Sequence, residues 1–255
     1  MRRLVLAVCL AALLAGCGSF VGDSPPPSDE RAVAAIEEAN NSIAAVESYQ
    51  FEMGMHVAAS DGDQSQSARV DGSGAVNVST KRMQATTRTQ DQTVETYVDG
   101  YKAYQGCQDP WGGYGVENVS RSEPWATATP LHRQLLLFER SNVYWQGNET
   151  LDGTRTVLVT ASPSTETLQS VMDRRQGSSV DLDRGSLENA TARLWLDPET
   201  NRPVQSELRL KISQRGATAT ATLTLHYTDY GTPVSVSVPP DVYDNQYQLG
   251  CPGSN

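Results

Sequence analysis

Apolar and polar residues alternate with a period of two along most of this chain, which is typical of half-buried β-strands. The first such run starts at Tyr49 and places Phe51, Met53 and Met55 on one face. Similar runs recur at 68–78, 82–89, 93–98, 101–104, 143–146, 154–160, 191–196, 204–212, 217–227 and 234–238. Turn signals such as Asp99-Gly100 separate several of them. The pattern predicts about ten antiparallel strands with one apolar face.

Three segments instead carry apolar residues at helical spacing. The first follows Ser28, which is a suitable N-cap, and continues to Val46. The second begins at Thr129-Pro130, a capping residue followed by a first-turn proline, and the third covers 165–175. The stretch 106–124 is rich in Gly, Trp and Asn and is predicted to be a loop. The chain is therefore predicted to be α+β, with a long antiparallel sheet and about three helices.

The N-terminus has the pattern of an export signal. Arg2 and Arg3 precede an apolar run, Leu4–Leu14, which is too short to span a bilayer. Leu14-Ala15-Gly16-Cys17 resembles a lipobox, at which a lipoprotein is diacylated on the cysteine and cleaved before it. An ordinary signal peptide with an incidental cysteine is the alternative. We expect a signal peptide at 1–16, lipidated Cys17 with a proline-rich tether at 17–28, and one domain at 29–255.

Charge and composition narrow the class of protein. The formal net charge is −10, and lysine occurs only three times, which resembles the composition of extreme halophiles, especially haloarchaea. An acidic protein of a mesophile is the alternative. The sequence has no basic patch or motif for nucleic acid. We expect a lipid-anchored protein on the extracellular face of the cell membrane, with the export route (Sec or Tat) open.

The remaining cysteines and the sequons concern covalent chemistry outside the membrane. Cys9 would leave with the signal and Cys17 would carry lipid, so Cys107 and Cys251 are expected to form a disulfide. Two thiols and isolated histidines make a metal site unexpected, and no cofactor motif occurs. Asn-x-Ser/Thr sequons make five asparagines candidates for glycosylation: Asn40, Asn77, Asn118, Asn148 and Asn189.

Two C-terminal segments resemble a known superfamily. "LWLDPETNRPVQSELRL" is similar to a strand–turn–strand of LolA/LppX-type lipoprotein and lipid carriers, and "LTLHYTDYGTPVSVSVPPDV" is similar to their closing strand. "ANNSIAAVESYQFEM" is similar to their helix-to-first-strand junction. Within this superfamily, the chain is most similar to haloarchaeal lipoproteins without an assigned activity. The Gly/Trp loop with Cys107 and the tail with Cys251 depart from the bacterial carriers.

The resemblance implies an open half-barrel sheet wrapped around helices, with an apolar cavity that binds or shuttles a lipid or other hydrophobic ligand. Small residues on the last long strand would leave room for it, although close helix packing could fill the same gap. The candidate lining residues are Phe51, Met53, Met55, Leu135, Phe138, Leu208, Leu210, Ala217, Ala219, Ala221, Leu223 and Leu225. The alternative is a surface interaction module with a packed interior and an unnamed protein partner. No catalytic motif occurs, so the chain is not expected to be an enzyme.

Overall fold

A computed structural model describes residues 25–61, 64–119, 121, 124–172, 186–214, 216–248 and 250–253. The predicted signal peptide and Cys17 lie outside these residues, as does the end of the third predicted helix. The helices are α1 (Glu30–Ala44), α2 (Pro130–Glu139), α3 (Thr165–Met172) and the short α4 (Asp241–Asp244), with a 3₁₀ turn at Trp125–Ala128. The strands are β1 (Ser48–Asp61), β2 (Gln64–Asn77), β3 (Arg82–Arg88), β4 (Thr93–Asp99), β5 (Lys102–Gly106), β6 (Tyr114–Asn118), β7 (Asn142–Leu151), β8 (Thr154–Ser162), β9 (Ser186–Leu196), β10 (Pro203–Gln214), β11 (Ala217–Thr228) and β12 (Gln246–Tyr247).

All twelve strands belong to one unclosed sheet with the order β12-β6-β5-β4-β3-β2-β1-β11-β10-β9-β8-β7. Two meanders, β1 to β6 and β7 to β11, form an N-terminal and a C-terminal wing. They meet where β1 pairs with β11 over eleven residue pairs, from Gln50–Thr228 to Ser60–Thr218. Every pairing is antiparallel except that of β12 with β6. The predicted α+β fold with a long open antiparallel sheet and helices is confirmed.

The helices cover one face of the sheet, which we call the inner face. Close-packed side chains from α1, α2 and α3 meet there, including Ile36, Leu135 and Leu168, which are 1–4 % exposed. Asp29, rather than the predicted Ser28, caps α1, because its carboxylate accepts the Arg31 N–H at 2.8 Å. The Ser28 hydroxyl instead accepts the Val143 N–H of β7 at 3.1 Å.

The C-terminal segment crosses the outer face of the N-terminal wing, and we call residues 229–248 the strap. The prediction of a strand at 234–238 is wrong, because these residues are not part of any paired β-strand. Its Val234 carbonyl accepts from the Asn77 side chain at 2.9 Å, and α4 follows. Under α4, Val242 completes a second small core with outer-face residues of β4, β5 and β6. The core residues are Tyr97, Tyr104, Val116 and Val242.

The stretch predicted as a loop at 106–124 contains β6, whose pairing with β12 the local sequence does not signal. The expected disulfide between Cys107 and Cys251 is present, with the sulfurs 2.09 Å apart. Gly115 lets the tail approach, because a Cβ there would lie 2.6 Å from the Cys251 nitrogen. The tail is thereby held against the β6 edge of the sheet.

Candidate functional site

The inner face of the central strands is apolar along its whole length. Register places Met53 opposite Leu225, Met55 opposite Leu223, and Val57 opposite Ala221. The covering of this face changes along the strands, however. Tyr49 is fully buried and Phe51 is 5 % exposed, whereas Met53, Met55 and Val57 are only half-buried. The half of the inner face near Tyr49, which we call the proximal half, is therefore covered by the helices. The half near Val57, which we call the distal half, is partly open.

The proximal half is filled by the helices. Six of the twelve predicted lining residues belong to this close-packed core and are 1–9 % exposed. These residues are Phe51, Leu135, Phe138, Leu208, Leu210 and Leu225. Their surroundings are those of ordinary core residues.

The other six predicted lining residues are half-buried: Met53, Met55, Ala217, Ala219, Ala221 and Leu223. Sequence reasoning left out Val57 and Ile212, which share their face and burial and follow the same alternation. We call the shared surface the distal apolar face, and it consists of Met55, Val57, Ile212, Ala219, Ala221 and Leu223. Ala219 and Ala221 are the smallest side chains on this surface, beside the bulkier Met55, Val57, Ile212 and Leu223.

Met53 marks the border between the two halves. Its methyl carbon lies 3.2 Å from the position that a Cβ would occupy at Gly72, so the side chain leans over this glycine of β2. Methionine adapts its shape at little cost, because its thioether is unbranched and has three rotatable bonds. The wall at this point can therefore adjust to what lies against the distal apolar face.

Two buried tyrosines, Tyr49 and Tyr227, and the half-buried Tyr230 close the proximal end of the inner face. Tyr49 lies 6.3 Å from Tyr227 and 6.1 Å from Tyr230, measured between ring centroids. The Tyr227 hydroxyl shares a hydrogen bond of 3.0 Å with Ser206. Burial raises the pKa of Tyr49 and of Tyr227 well above the ordinary value. These two tyrosines thus stay neutral and bring hydroxyl groups to the closed end, and the Arg202 guanidinium lies 5.5 Å from the Tyr230 ring centroid.

Helix α2 adds two polar groups to the proximal half. His132 shares a contact of 3.1 Å with the Thr129 hydroxyl, and burial lowers its pKa to about 4. The side-chain oxygen of Gln134 is buried, with no hydrogen-bond partner among the residues that the structure describes. The imidazole is therefore neutral at neutral pH, which keeps charge away from the apolar interior.

The opposite, outer face of the central strands is polar and holds three open hollows of about 630, 540 and 340 Å³. The largest is lined by Glu52, His56, Arg69 and His226, among others, and Arg69 pairs with Asp71 at 2.9 Å. These charged and polar groups suit water or polar solutes. Met53 and Met55 also line the largest hollow, so it borders the distal apolar face at Met55.

Neither a metal centre nor a membrane-spanning helix is found in the part of the chain described here. No group of three or more metal-ligating side chains comes together among these residues. No helix among them is both long enough and apolar enough to cross a bilayer.

Two aromatic side chains lie on the surface near the tail. Trp111 is 53 % exposed and Tyr243 is 43 % exposed, although the Tyr243 hydroxyl donates to Asp99 at 2.6 Å. Sequence reasoning placed Trp111 in an aromatic-rich loop but did not foresee that the strap brings Tyr243 to the same wing.

The five sequons differ in their surroundings. The side-chain nitrogens of Asn40 and Asn77 are engaged, with Glu139 at 2.6 Å and with Val234 at 2.9 Å. Asn118, Asn148 and Asn189 are exposed.

Comparison with known proteins gives structural neighbours only. No family model and no curated protein matches the sequence. The lipoprotein LppX of Mycobacterium tuberculosis is similar over 82 % of this chain and 100 % of its own, at 18 % identity and a TM-score of 0.48. LprF of Mycobacterium bovis is similar over 84 % of this chain and 99 % of its own, at 14 % identity and a TM-score of 0.46.

A LolA superfamily protein of Nitrosomonas europaea is also similar, over 83 % of this chain and 96 % of its own, at 10 % identity and a TM-score of 0.27. LppX and the LolA superfamily are also the names used above for the resemblance in the sequence. Closeness to haloarchaeal lipoproteins stays a prediction. At TM-scores below 0.5, these similarities do not assign a ligand or an activity.

Proposed function

We propose that this protein is an exported, membrane-anchored lipoprotein that binds or shuttles a lipid or other hydrophobic ligand at the outer face of the cell membrane. The observation that carries the proposal is the distal apolar face. Its side chains are uncharged and apolar, they lie on one surface of a rigid sheet, and they are only half-buried.

An apolar chain bound on this surface would remove its own apolar area, and the apolar area of the protein beneath it, from contact with water. The gain is roughly 25 cal/mol per Å² of apolar area buried. Alanine side chains at 219 and 221 let such a chain lie close to the sheet, while Met55 and Leu223 can flank it. An apolar surface of this kind suits a flexible acyl or prenyl chain better than a polar molecule.

The experiment is native mass spectrometry and organic-solvent extraction of residues 28–255, exported by its own host behind a cleavable signal peptide without Cys17, and kept in high salt. The decisive variant is Ala221→Trp, which would fill the distal apolar face. Thr222→Trp is the matched control, because the next residue of β11 points to the opposite, polar face. We expect a stoichiometric lipid with the unaltered chain and with Thr222→Trp, and its loss with Ala221→Trp. An unaltered chain free of ligand, and unable to take up host lipids, would refute ligand binding.

The anchor is tested separately. Leu14-Ala15-Gly16-Cys17 supports lipidation at Cys17, because the acyl chains are carried on the thiol. Cys17→Ser should move the protein from the membrane fraction to the soluble fraction. A protein that stays in the membrane fraction after this change would be held by something other than a lipid on Cys17.

A surface interaction module is the second candidate function. Trp111 and Tyr243 favour it, since exposed aromatic residues often anchor partners. This function would gain support if no ligand were found and if Trp111→Ala released a protein co-purifying with the unaltered chain.

A further inference from the structure

The two outermost strands of the sheet are protected very differently. At one edge, β12 covers β6, and the disulfide holds the tail in place. At the other edge, β7 is covered only at its start, where the Asp29 N–H donates to the Val143 carbonyl at 2.8 Å. The Tyr144 hydroxyl likewise donates to the Pro26 carbonyl at 2.7 Å. The half of β7 next to the turn, residues 147–151, has no such cover among the residues that the structure describes.

The geometry of the β7–β8 hairpin shows which backbone groups face the open side. Asp152 and Gly153 have φ values of 50° and 83°, as in a two-residue hairpin turn of type I′. In such a hairpin the residues next to the turn, Leu151 and Thr154, form a hydrogen-bonded pair, and the pairs then alternate. The N–H and C=O groups of Thr150 and Asn148 therefore point away from β8, toward the free edge. An open edge of this kind is a template for pairing with another chain.

Asn148 and Thr150 are also the first and third residues of a sequon, Asn148-Glu149-Thr150. Both side chains are exposed, and Glu149 between them is turned to the other face, where it accepts the Trp195 indole N–H at 2.8 Å. We infer that Asn148 carries an N-linked glycan, and that this glycan shields the open edge of β7 from pairing with a second copy of the chain. The inference rests on the export part of the proposed function, not on ligand binding.

The chemistry needs a lipid-phosphate-linked oligosaccharide as the sugar donor, available outside the cytoplasm. The Asn148 side-chain nitrogen attacks the anomeric carbon of that donor. The new C–N bond forms as the C–O bond to phosphate breaks. The amide gives up one proton to a base of the transferase, and the lipid phosphate leaves with the bonding electrons. A bulky, hydrated group then stands beside the unpaired backbone.

The other sequons provide internal comparisons. Modification of Asn77 would remove the hydrogen bond of 2.9 Å that ties the strap to β2, and modification of Asn40 would remove the bond of 2.6 Å to Glu139. Asn189 is exposed like Asn148 and pairs with Lys211 of β10. The pairing of β9 with β8 begins only at Ala192, so Asn189 does not lie between two paired strands.

The test uses the full chain, exported by a host that glycosylates Asn-x-Ser/Thr sequons. Glycopeptide mass spectrometry should find Asn148 occupied and Asn77 unoccupied. Size-exclusion chromatography with light scattering then compares the unaltered chain with three variants of β7, Asn148→Gln, Thr150→Ala and Thr150→Lys, over a hundredfold concentration range. Asn148→Gln and Thr150→Ala should form concentration-dependent dimers, whereas the unaltered chain should remain monomeric.

Thr150→Lys distinguishes the effect of the glycan from the effect of the strand edge on dimer formation. It removes the sequon but adds a charge of the kind that guards open edges, so this variant should be free of glycan on Asn148 and still monomeric. An unmodified Asn148 in the exported chain would overturn the proposal. Monomeric Asn148→Gln and Thr150→Ala would overturn it as well, and so would dimers of Thr150→Lys as strong as those of Thr150→Ala. None of these results depends on whether a lipid is bound.

Discussion

The proximal and distal halves of the inner face lie on the same strands, with the same alternation, yet they have different roles. Two positions along β11 separate Leu225, which is 3 % exposed, from the half-buried Leu223. On the proximal side, helices press large side chains against the sheet. On the distal side, the strands continue past this close-packed core with small and flexible residues.

The difference teaches that period-two alternation defines the face of a residue but not its depth. The same pattern describes a core strand and a ligand surface, because both need apolar residues at every second position. Burial depends on what the helices reach, which is a tertiary property. Four measurements can test whether the proximal half is packed and the distal half is open.

The largest effect is expected for Phe138→Ala in α2. The side chain is 1 % exposed in the core, so its removal leaves a cavity and should cost about 3–5 kcal/mol of unfolding free energy. Urea denaturation measures the loss, with Val57→Ala on the distal apolar face as control. An equal loss in both variants would mean that the distal half is packed like the proximal half.

Acid should weaken the proximal half through His132. Burial lowers the pKa of His132 in the folded protein to about 4, whereas an unfolded chain binds the proton below about pH 6.5. The unfolded state therefore holds more protons between these values, and stability falls as pH decreases from about 6.5 to about 4. The loss from this one group is on the order of 2–3 kcal/mol over the window.

His132→Gln should remove this part of the pH dependence, and the difference between its denaturation curves and those of the unaltered protein isolates it. Parallel pH profiles for the two proteins would show that His132 is not shielded from water as the structure indicates. The distal apolar face has no ionisable side chain and should not contribute.

The most direct comparison uses two leucines of β11. Leu225→Ala should reduce the unfolding free energy by about 1–2 kcal/mol more than Leu223→Ala, because a half-buried side chain loses less on truncation. Thermal and urea unfolding of the ligand-free proteins provide the values. Adding the extracted lipid should narrow the gap if Leu223 becomes covered; a gap that is absent from the start would contradict the division into two halves.

The smallest effect is expected for Tyr227→Phe at the closed end. The change leaves the buried Ser206 hydroxyl without the partner that lies 3.0 Å away, at a cost of about 1 kcal/mol. Ser206→Ala combined with Tyr227→Phe should recover part of the loss. A double-mutant cycle measures this coupling, and additive losses would argue against the hydrogen bond.

Much of this fold can be predicted from local patterns. The alternation from Tyr49 onward identified β1, and Thr129-Pro130 located the start of α2. Local patterns failed where a segment depends on distant partners. The valines at 234–238 alternate like a strand, but the Asn77 side chain binds the Val234 carbonyl and the segment runs as part of the strap. Within the predicted loop, residues 114–118 form β6, which pairs with β5 on one side and with the tail on the other.

The candidate site was predicted in part. Its strands and several of its residues follow from alternation and from the resemblance. The division between core and open surface does not follow from these patterns. Leu208 and Ala219 are both apolar residues at inner-face positions of an alternating strand, yet Leu208 is buried and Ala219 is only half-buried. That distinction requires the positions of the helices.

The pairing of β1 with β11 also has a consequence for how the chain folds. Each wing is a meander of local hairpins, so either can begin to form from neighbouring residues. The seam between them joins Gln50 to Thr228, nearly opposite ends of the domain, and closing so long a loop costs chain entropy before the paired strands can offset it. The slow step of folding should therefore be the docking of two partly formed wings, and substitutions at the seam should slow folding more than substitutions in the outer hairpins.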